Sequence, residues 1–269
     1  MKKRLKPVVK RLAIQFLCGY GLLVLVVFLL QRSLIYYPNV QRPELPSTLT
    51  LWPSKDDYRG FVGAGGVSRP TVVVFHGNAG RAADRVPYVR ALEKLGYRVI
   101  LAEFPGYGGR PGELSEASFV TDGKQIVRLA AEQAKGPVIV FGESLGCGVV
   151  AALAADPNLP IRGLVLITPW DSLAEVAQEQ YWFLPARWMV QDRFDSVANL
   201  KNTQIPIAVL LAEHDEVIPT SHGQRLYDSL TATKKCWVFP GAGHNTWPRG
   251  PKEAWWQEVM AFVQITSAP

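Results

Sequence analysis

Residues 137–148 read "PVIVFGESLGCG". A run of apolar, β-branched residues stops at Gly142, and Glu143, Ser144 and Leu145 stand before the next glycine, Gly146. A strand that turns tightly into a helix explains the glycines but gives Ser144 no use. A sharper version of the same bend explains all of it. It would hold Ser144 at its tip in strained backbone, with neighbouring chain passing so close to the positions two before and two after that only glycine fits. The serine would then stand at a helix N-terminus, where free N–H groups and the helix dipole favour developing negative charge.

The chain on either side has the rhythm that such a bend needs. "TVVVF" (71–75), "YRVILAEF" (97–104), "PVIVF" (137–141), "GLVLI" (163–167), "IPIAVLLA" (205–212) and "CWVF" (236–239) read as short strands. Helices are expected over 82–95, 115–134, the small-residue stretch up to about Ala155, and near 220–230 and 251–264. This alternation predicts an α/β fold, a mostly parallel central sheet with helices on both faces. Residues 38–70 are rich in proline and glycine, with strand-like pieces at "TLTLW" and "YRGFV". One segment breaks the rhythm: 37 residues separate Ile167 from Ile205, and they include "YWFLPARWM" (181–189). Two readings of its aromatics are open. They pack a longer helix into the core, or they belong to a short helical cap over about 169–204 that lines an apolar pocket.

At 269 residues the chain has the length of one α/β domain. Lys and Arg outnumber Asp and Glu by 29 to 23, but the excess is local. Lys2, Lys3, Arg4, Lys6, Lys10 and Arg11 supply six positive charges within residues 1–11, which contain no acid. Removing them leaves 23 basic against 23 acidic residues, so net charge gives no argument for a nucleic-acid partner. Residues 12–30, "LAIQFLCGYGLLVLVVFLL", carry no charge. As a helix they span about 28 Å, the hydrocarbon thickness of a bilayer. A transmembrane anchor over 12–30 is the expectation. A cleaved signal peptide is disfavoured by the length of the apolar run and by the absence of a small-residue cleavage site in "QRSLIYYP". The positive-inside rule puts the 1–11 tail in the cytosol and the domain over 31–269 on the other side, the periplasm if the source is a bacterium. None of the six asparagines begins an N-x-[ST] acceptor site. Cys18, Cys147 and Cys236 follow no disulfide or zinc spacing, although a bond between the last two stays open.

A serine hydroxyl needs a base to attack anything at neutral pH. Of His76, His214, His222 and His244, the last lies in "FPGAGHN", just after the final expected strand, on a loop that can reach across the sheet's carboxyl edge. His214 and His222 read as surface histidines, and His76, in "FHGNAG", as a structural one that holds its loop by hydrogen bonds. The base in turn needs a carboxylate to fix its tautomer. Asp215 in "LLAEHDEVIP" is the first choice. Asp171 in "TPWDSL" is the second, and it also fits a helix N-cap. Glu213 and Glu216 read as solvated loop charges. Two backbone N–H groups should face the developing oxyanion, those of Leu145 and Asn78. No phosphate-loop, H-E-x-x-H or paired Cys-x-x-Cys motif occurs, so nucleotide and metal chemistry are unsupported.

With "FHGNAG", "EFPGYGGRPGELSE", "FGESLGCG", "AEHDEVIP" and "GAGHN" in this order, residues 34–269 resemble the α/β-hydrolase superfamily. Behind an N-terminal anchor and "QRSLIYYP", they look like its branch of membrane-anchored serine hydrolases related to lysophospholipases and protein depalmitoylases. The resemblance implies ester or thioester hydrolysis through an acyl-enzyme, with Ser144, Asp215 and His244 as catalytic residues and neither metal nor cofactor. It implies a small-molecule or lipid ester as substrate and leaves the oligomeric state unknown. The loop after "PGYG" departs from relatives, where a serine more often follows; here it reads "GGRPGE". A peptidase of the same fold and a non-catalytic scaffold are the rival expectations.

Overall fold

The computed structural model describes residues 2–41, 44 and 47–264, with backbone alone for 2–6. The first residue of the basic tail, the side chains of 2–6 and the last five residues of the domain lie outside the described residues. Among the described residues one sheet of eight strands forms the centre, in the order β1 (Thr50–Pro53), β2 (Tyr58–Val62), β4 (Arg98–Ala102), β3 (Thr71–Phe75), β5 (Val138–Glu143), β6 (Ile161–Ile167), β7 (Ile207–Ala212), β8 (Lys234–Phe239). β1 pairs antiparallel with β2, and β2 antiparallel with β4. From β4 through β8 all pairs are parallel.

Alternation along the strands builds two apolar layers, because successive side chains point to opposite faces. Val73, Val140, Leu164 and Val209 join one buried cluster with Phe119, Ile126, Val150 and Leu226. These come from α3 (Glu116–Ala134), α4 (Leu145–Ala154) and α8 (Thr220–Ser229). Val74, Phe141, Val165 and Leu210 join the other with Tyr88, Leu92, Trp256 and Val259, from α2 (Val86–Leu92) and α9 (Trp255–Val263). Strands β3, β4, β5 and β7 are buried at every position, as a sheet covered on both faces requires. The edge strand β8 is half exposed and opens on Lys234 and Lys235, which discourages pairing with another chain.

Two expected helices are shorter than the sequence pattern. The 82–95 segment divides into a 3₁₀ turn, Ala82–Arg85, and α2, because Pro87 has no N–H and fits only the first turn of a new helix. The last helix starts at Trp255, after turns that include the Glu253 N–H bond to the Gly250 carbonyl. The long insertion after β6 is a cap of three short helices, α5 (Leu173–Gln180), α6 (Ala186–Met189) and α7 (Ser196–Leu200). Ahead of everything runs α1 (Lys2–Ile35), in which Pro7–Ile35 is long and apolar enough to cross a membrane; its most apolar stretch has no buried residue, whereas Gln31 near its end is buried against the domain.

Candidate active site

Strand β5 delivers Ser144 to the carboxyl edge of the sheet, and α4 starts at the next residue. Ser144 has φ 52° and ψ −113°, a strained conformation for a residue with a side chain. The glycines around it have a steric cause. A Cβ on Gly142 would stand 2.6 Å from the Gly146 carbonyl oxygen, and one on Gly146 would stand 2.2 Å from that of Phe75. Both clashes are with backbone, the first with the opening turn of α4 and the second with the end of β3, and neither can move aside as a side chain could.

His244 arrives on the loop after β8, and Asp215 on the loop after β7. The Ser144 hydroxyl donates to His244 Nε2 at 3.0 Å, and His244 Nδ1–H donates to Asp215 Oδ2 at 2.8 Å. Asp215 is itself fixed, because its Oδ1 accepts the Val217 and Ile218 N–H groups at 3.0 and 2.7 Å. All three side chains are nearly buried, so water competes little for these bonds. Glu216 adds a bond that the sequence reading did not foresee: its carboxylate accepts the His244 backbone N–H at 3.0 Å, and that bond holds its carboxyl below the usual range.

The loop after β3 carries Asn78 to the nucleophile, and Asn78, Ser144 and Leu145 line one cavity of about 260 Å³. The Asn78 side chain is tied on every side. Its Oδ1 accepts from Tyr37 N, Ala79 N and the Tyr107 hydroxyl at 3.1, 3.0 and 2.7 Å, and its Nδ2 donates to the Ile35 carbonyl at 2.6 Å. His76 braces the same loop from inside: it is buried, its Nδ1–H donates to the Gly77 carbonyl at 2.7 Å, and its Nε2 lies 2.8 Å from Glu103. Beneath the bend, Arg85 pairs with Glu143, and the Tyr88 hydroxyl donates to Glu143 at 2.7 Å. Burial pushes the Glu143 carboxyl up, but the Arg85 guanidinium and the Tyr88 hydroxyl outweigh it and hold it below the usual range.

Several expectations are corrected. His222 is not on the surface: it is fully buried on the inward face of α8 and donates to Asp171 at 2.7 Å. Asp171 therefore serves His222 and Arg225 rather than His244. Burial opposes its ionisation, but the bonds from His222 and Arg225 prevail and lower its pKa. The N-cap of α5 is Ser172, whose side chain accepts the Glu175 N–H at 3.2 Å. Glu213 also has a partner, accepting the Gly241 N–H at 2.7 Å. Cys147 and Cys236 are free thiols, the first fully buried. The aromatics of 181–189 divide. Tyr181 lines the cavity at Ser144, whereas Trp182 and Trp188 are each 79% exposed and pack neither the core nor that cavity. The cavity's other apolar walls include Trp170, Leu173 and Ile218.

A family model described as the alpha/beta hydrolase fold matches residues 70–206, just over half of the chain. The uncharacterized protein Rv2307c of Mycobacterium tuberculosis is 33% identical over 237 residues, which cover 82% of this chain and 83% of that one. The lysophosphatidylserine lipase ABHD12 of Danio rerio is 31% identical over 186 residues, 62% of this chain but only 49% of the lipase, so the chain spans about half of that relative's length. Among solved structures, an esterase of Pyrococcus furiosus has the same fold, with a TM-score of 0.66 over 86% of this chain and 99% of its own at 19% identity. The fold and the Ser–His–Asp arrangement are those of a serine hydrolase acting on carboxylic esters. From the buried parallel strands to the bend that carries Ser144, the chain belongs to the alpha/beta hydrolase fold family.

Proposed function

We propose that this protein is a membrane-anchored hydrolase that cleaves acyl esters or thioesters of lipid-like substrates, with Ser144 as nucleophile, His244 as general base and acid, and Asp215 as the carboxylate that orients it. The Ser144 oxygen bonds to the acyl carbon as its proton passes to His244 Nε2. The oxyanion that forms is held by the Leu145 and Asn78 backbone N–H groups, the first at the start of α4 where the helix dipole helps. His244 then gives the proton to the leaving alcohol or thiol, and an acyl-enzyme remains. A water takes the leaving group's place, His244 draws off its proton, and the same steps in reverse order free the acid and restore Ser144.

The observation that carries this reading is the unbroken pair of hydrogen bonds through His244, 3.0 Å to Ser144 and 2.8 Å to Asp215. With Nδ1 donating to the carboxylate, Nε2 is free to accept the serine proton, which is the tautomer a base requires. The apolar walls of the adjoining cavity and the membrane-length helix support a lipid-like substrate. So does the likeness to the lysophosphatidylserine lipase ABHD12 of Danio rerio, an enzyme that acts on a lysophospholipid. In this reading residues 12–30 are the anchor, the basic tail lies in the cytosol, and the domain with its cap over about 169–204 faces the opposite side.

Labelling by a fluorophosphonate probe tests the assignment. Wild type should react, and Ser144→Ala should not, with ester turnover down on the order of 10⁶-fold. Undiminished labelling of the variant would refute Ser144 as the nucleophile.

A further inference from the structure

The cap does not sit only over the sheet; it also runs alongside the membrane helix. The Tyr20 hydroxyl donates to the Phe183 carbonyl at 2.9 Å. Eleven residues further along α1, Gln31 donates to the Met189 carbonyl at 3.2 Å and accepts the Gln191 N–H at 2.8 Å. At the helical rise that interval is about 16 Å, more than half of the apolar run. Whatever medium surrounds residues 20–30 therefore also surrounds the cap tip. The tip is built for an apolar one: Trp182 and Trp188 are 79% exposed, and Tyr181 and Phe183 about half exposed. Its charged residue, Arg187, is paired with Glu175 at 2.6 Å and has a stem long enough to snorkel.

Between α1 and the cap lies a second apolar cavity of about 260 Å³. Leu23 and Val27 form its α1 wall, and Met189 and Val190 form its cap wall. Four residues, Leu34, Ile35, Ala177 and Tyr181, line both this cavity and the one at Ser144, so the two are neighbours across a shared wall. Leu23 and Leu34 remain 44% and 53% exposed, which leaves the outer cavity open toward the surroundings of the helix.

We propose that the cavity between α1 and the cap is an acyl-chain site, through which a single-chain lipid ester reaches Ser144 sideways from the outer half of the bilayer while the aromatic tip of the cap is immersed beside it. The proposal rests on the hydrolase reading above and adds the chemical class of the ligand and its route. One wall of the substrate site is then the membrane anchor itself. The chain stays in hydrocarbon as it moves from lipid to cavity, and only the ester has to leave the headgroup region.

The test uses the full chain in phosphatidylcholine vesicles. Turnover of an oleoyl lysophospholipid is divided by turnover of p-nitrophenyl butyrate, which has almost no chain to seat. Val27→Trp and, from the opposite wall, Met189→Trp should each lower that ratio at least tenfold. An unchanged ratio in variants that still react with the fluorophosphonate probe overturns the proposal but leaves the hydrolase reading intact. A wild type that cleaves neither ester overturns the hydrolase reading instead. If both variants fail to fold, the cap tip still decides: lipid brominated along its acyl chains should quench wild-type tryptophan fluorescence, and Trp182→Phe with Trp188→Phe should remove most of that quenching. Equal fractional quenching in the two proteins places the tip in water and overturns the proposal.

Discussion

Glu143 lies between the glycine and the serine of the bend, where a side chain can only point inward. It meets Arg85 and Tyr88, and the three form a polar knot under the nucleophile. Glu143→Gln would leave the buried guanidinium unpaired, a cost of about 3–5 kcal/mol at neutral pH. The loss should fade with acid. Because the native carboxyl titrates below its unfolded value, the unfolded chain takes up the proton first as pH falls. The pair's contribution is thus complete above the unfolded pKa of about 4.3 and drains away as pH drops through the lower native one. Thermal unfolding at pH 7 and at pH 4 or below should show the wild-type and variant curves converging; parallel curves would count against the pair. The neighbouring glycines were legible in the sequence because their constraint is local, a bend and the chain beside it. Arg85 was not, because it stands 58 residues earlier on another element and nothing in "FGESLG" names its partner.

Among the elements, the cap and α8 meet where Asp171 and Ser172 lead into α5. Ser172→Ala should cost about 0.5–2 kcal/mol through the lost helix cap, read by chemical denaturation. The two candidate acids should separate cleanly. Asp215→Asn should lower ester turnover by about 10⁴-fold, because His244 loses its correct tautomer. Asp171→Asn should leave turnover near wild type and act on stability alone; an equal loss from both would contradict the assignment. The strands and most of the helices could be read from periodicity, since each buried strand carries its own signature, whereas the order of the strands in the sheet could not. Nor could the placement of His222. Helix α8 has few apolar residues, and its inward face is His222, Gly223 and Leu226, which reads as surface until Asp171 is brought against it. The aromatic run at 181–189 stood out in the sequence, but its direction depends on α1, some 160 residues earlier.

For the whole molecule, the membrane-length helix and the hydrolase domain are joined by more than the covalent chain. Besides the contacts of the cap, Arg32 pairs with Asp192 at 3.0 Å and also with Glu113, so the end of α1 is clamped to the domain from two sides. The protein should stay with the bilayer through alkaline carbonate washing, and a C-terminal tag should be digested by protease added on the non-cytosolic face; protection of that tag would reverse the proposed orientation. The four bonds on the Asn78 side chain carry a practical consequence for anyone making a soluble form. Two of them reach back to Ile35 and Tyr37. A chain cut to begin at Gln31 keeps both, whereas one cut to begin at Pro38 loses both and frees the loop whose amide we propose as an oxyanion donor. The second should hydrolyse p-nitrophenyl butyrate more slowly than the first. The hydrophobic run ends at Leu30, but the helix continues to Ile35 and the catalytic unit starts inside its last turn, so the cut belongs where the hydrophobic run ends and not where the helix ends.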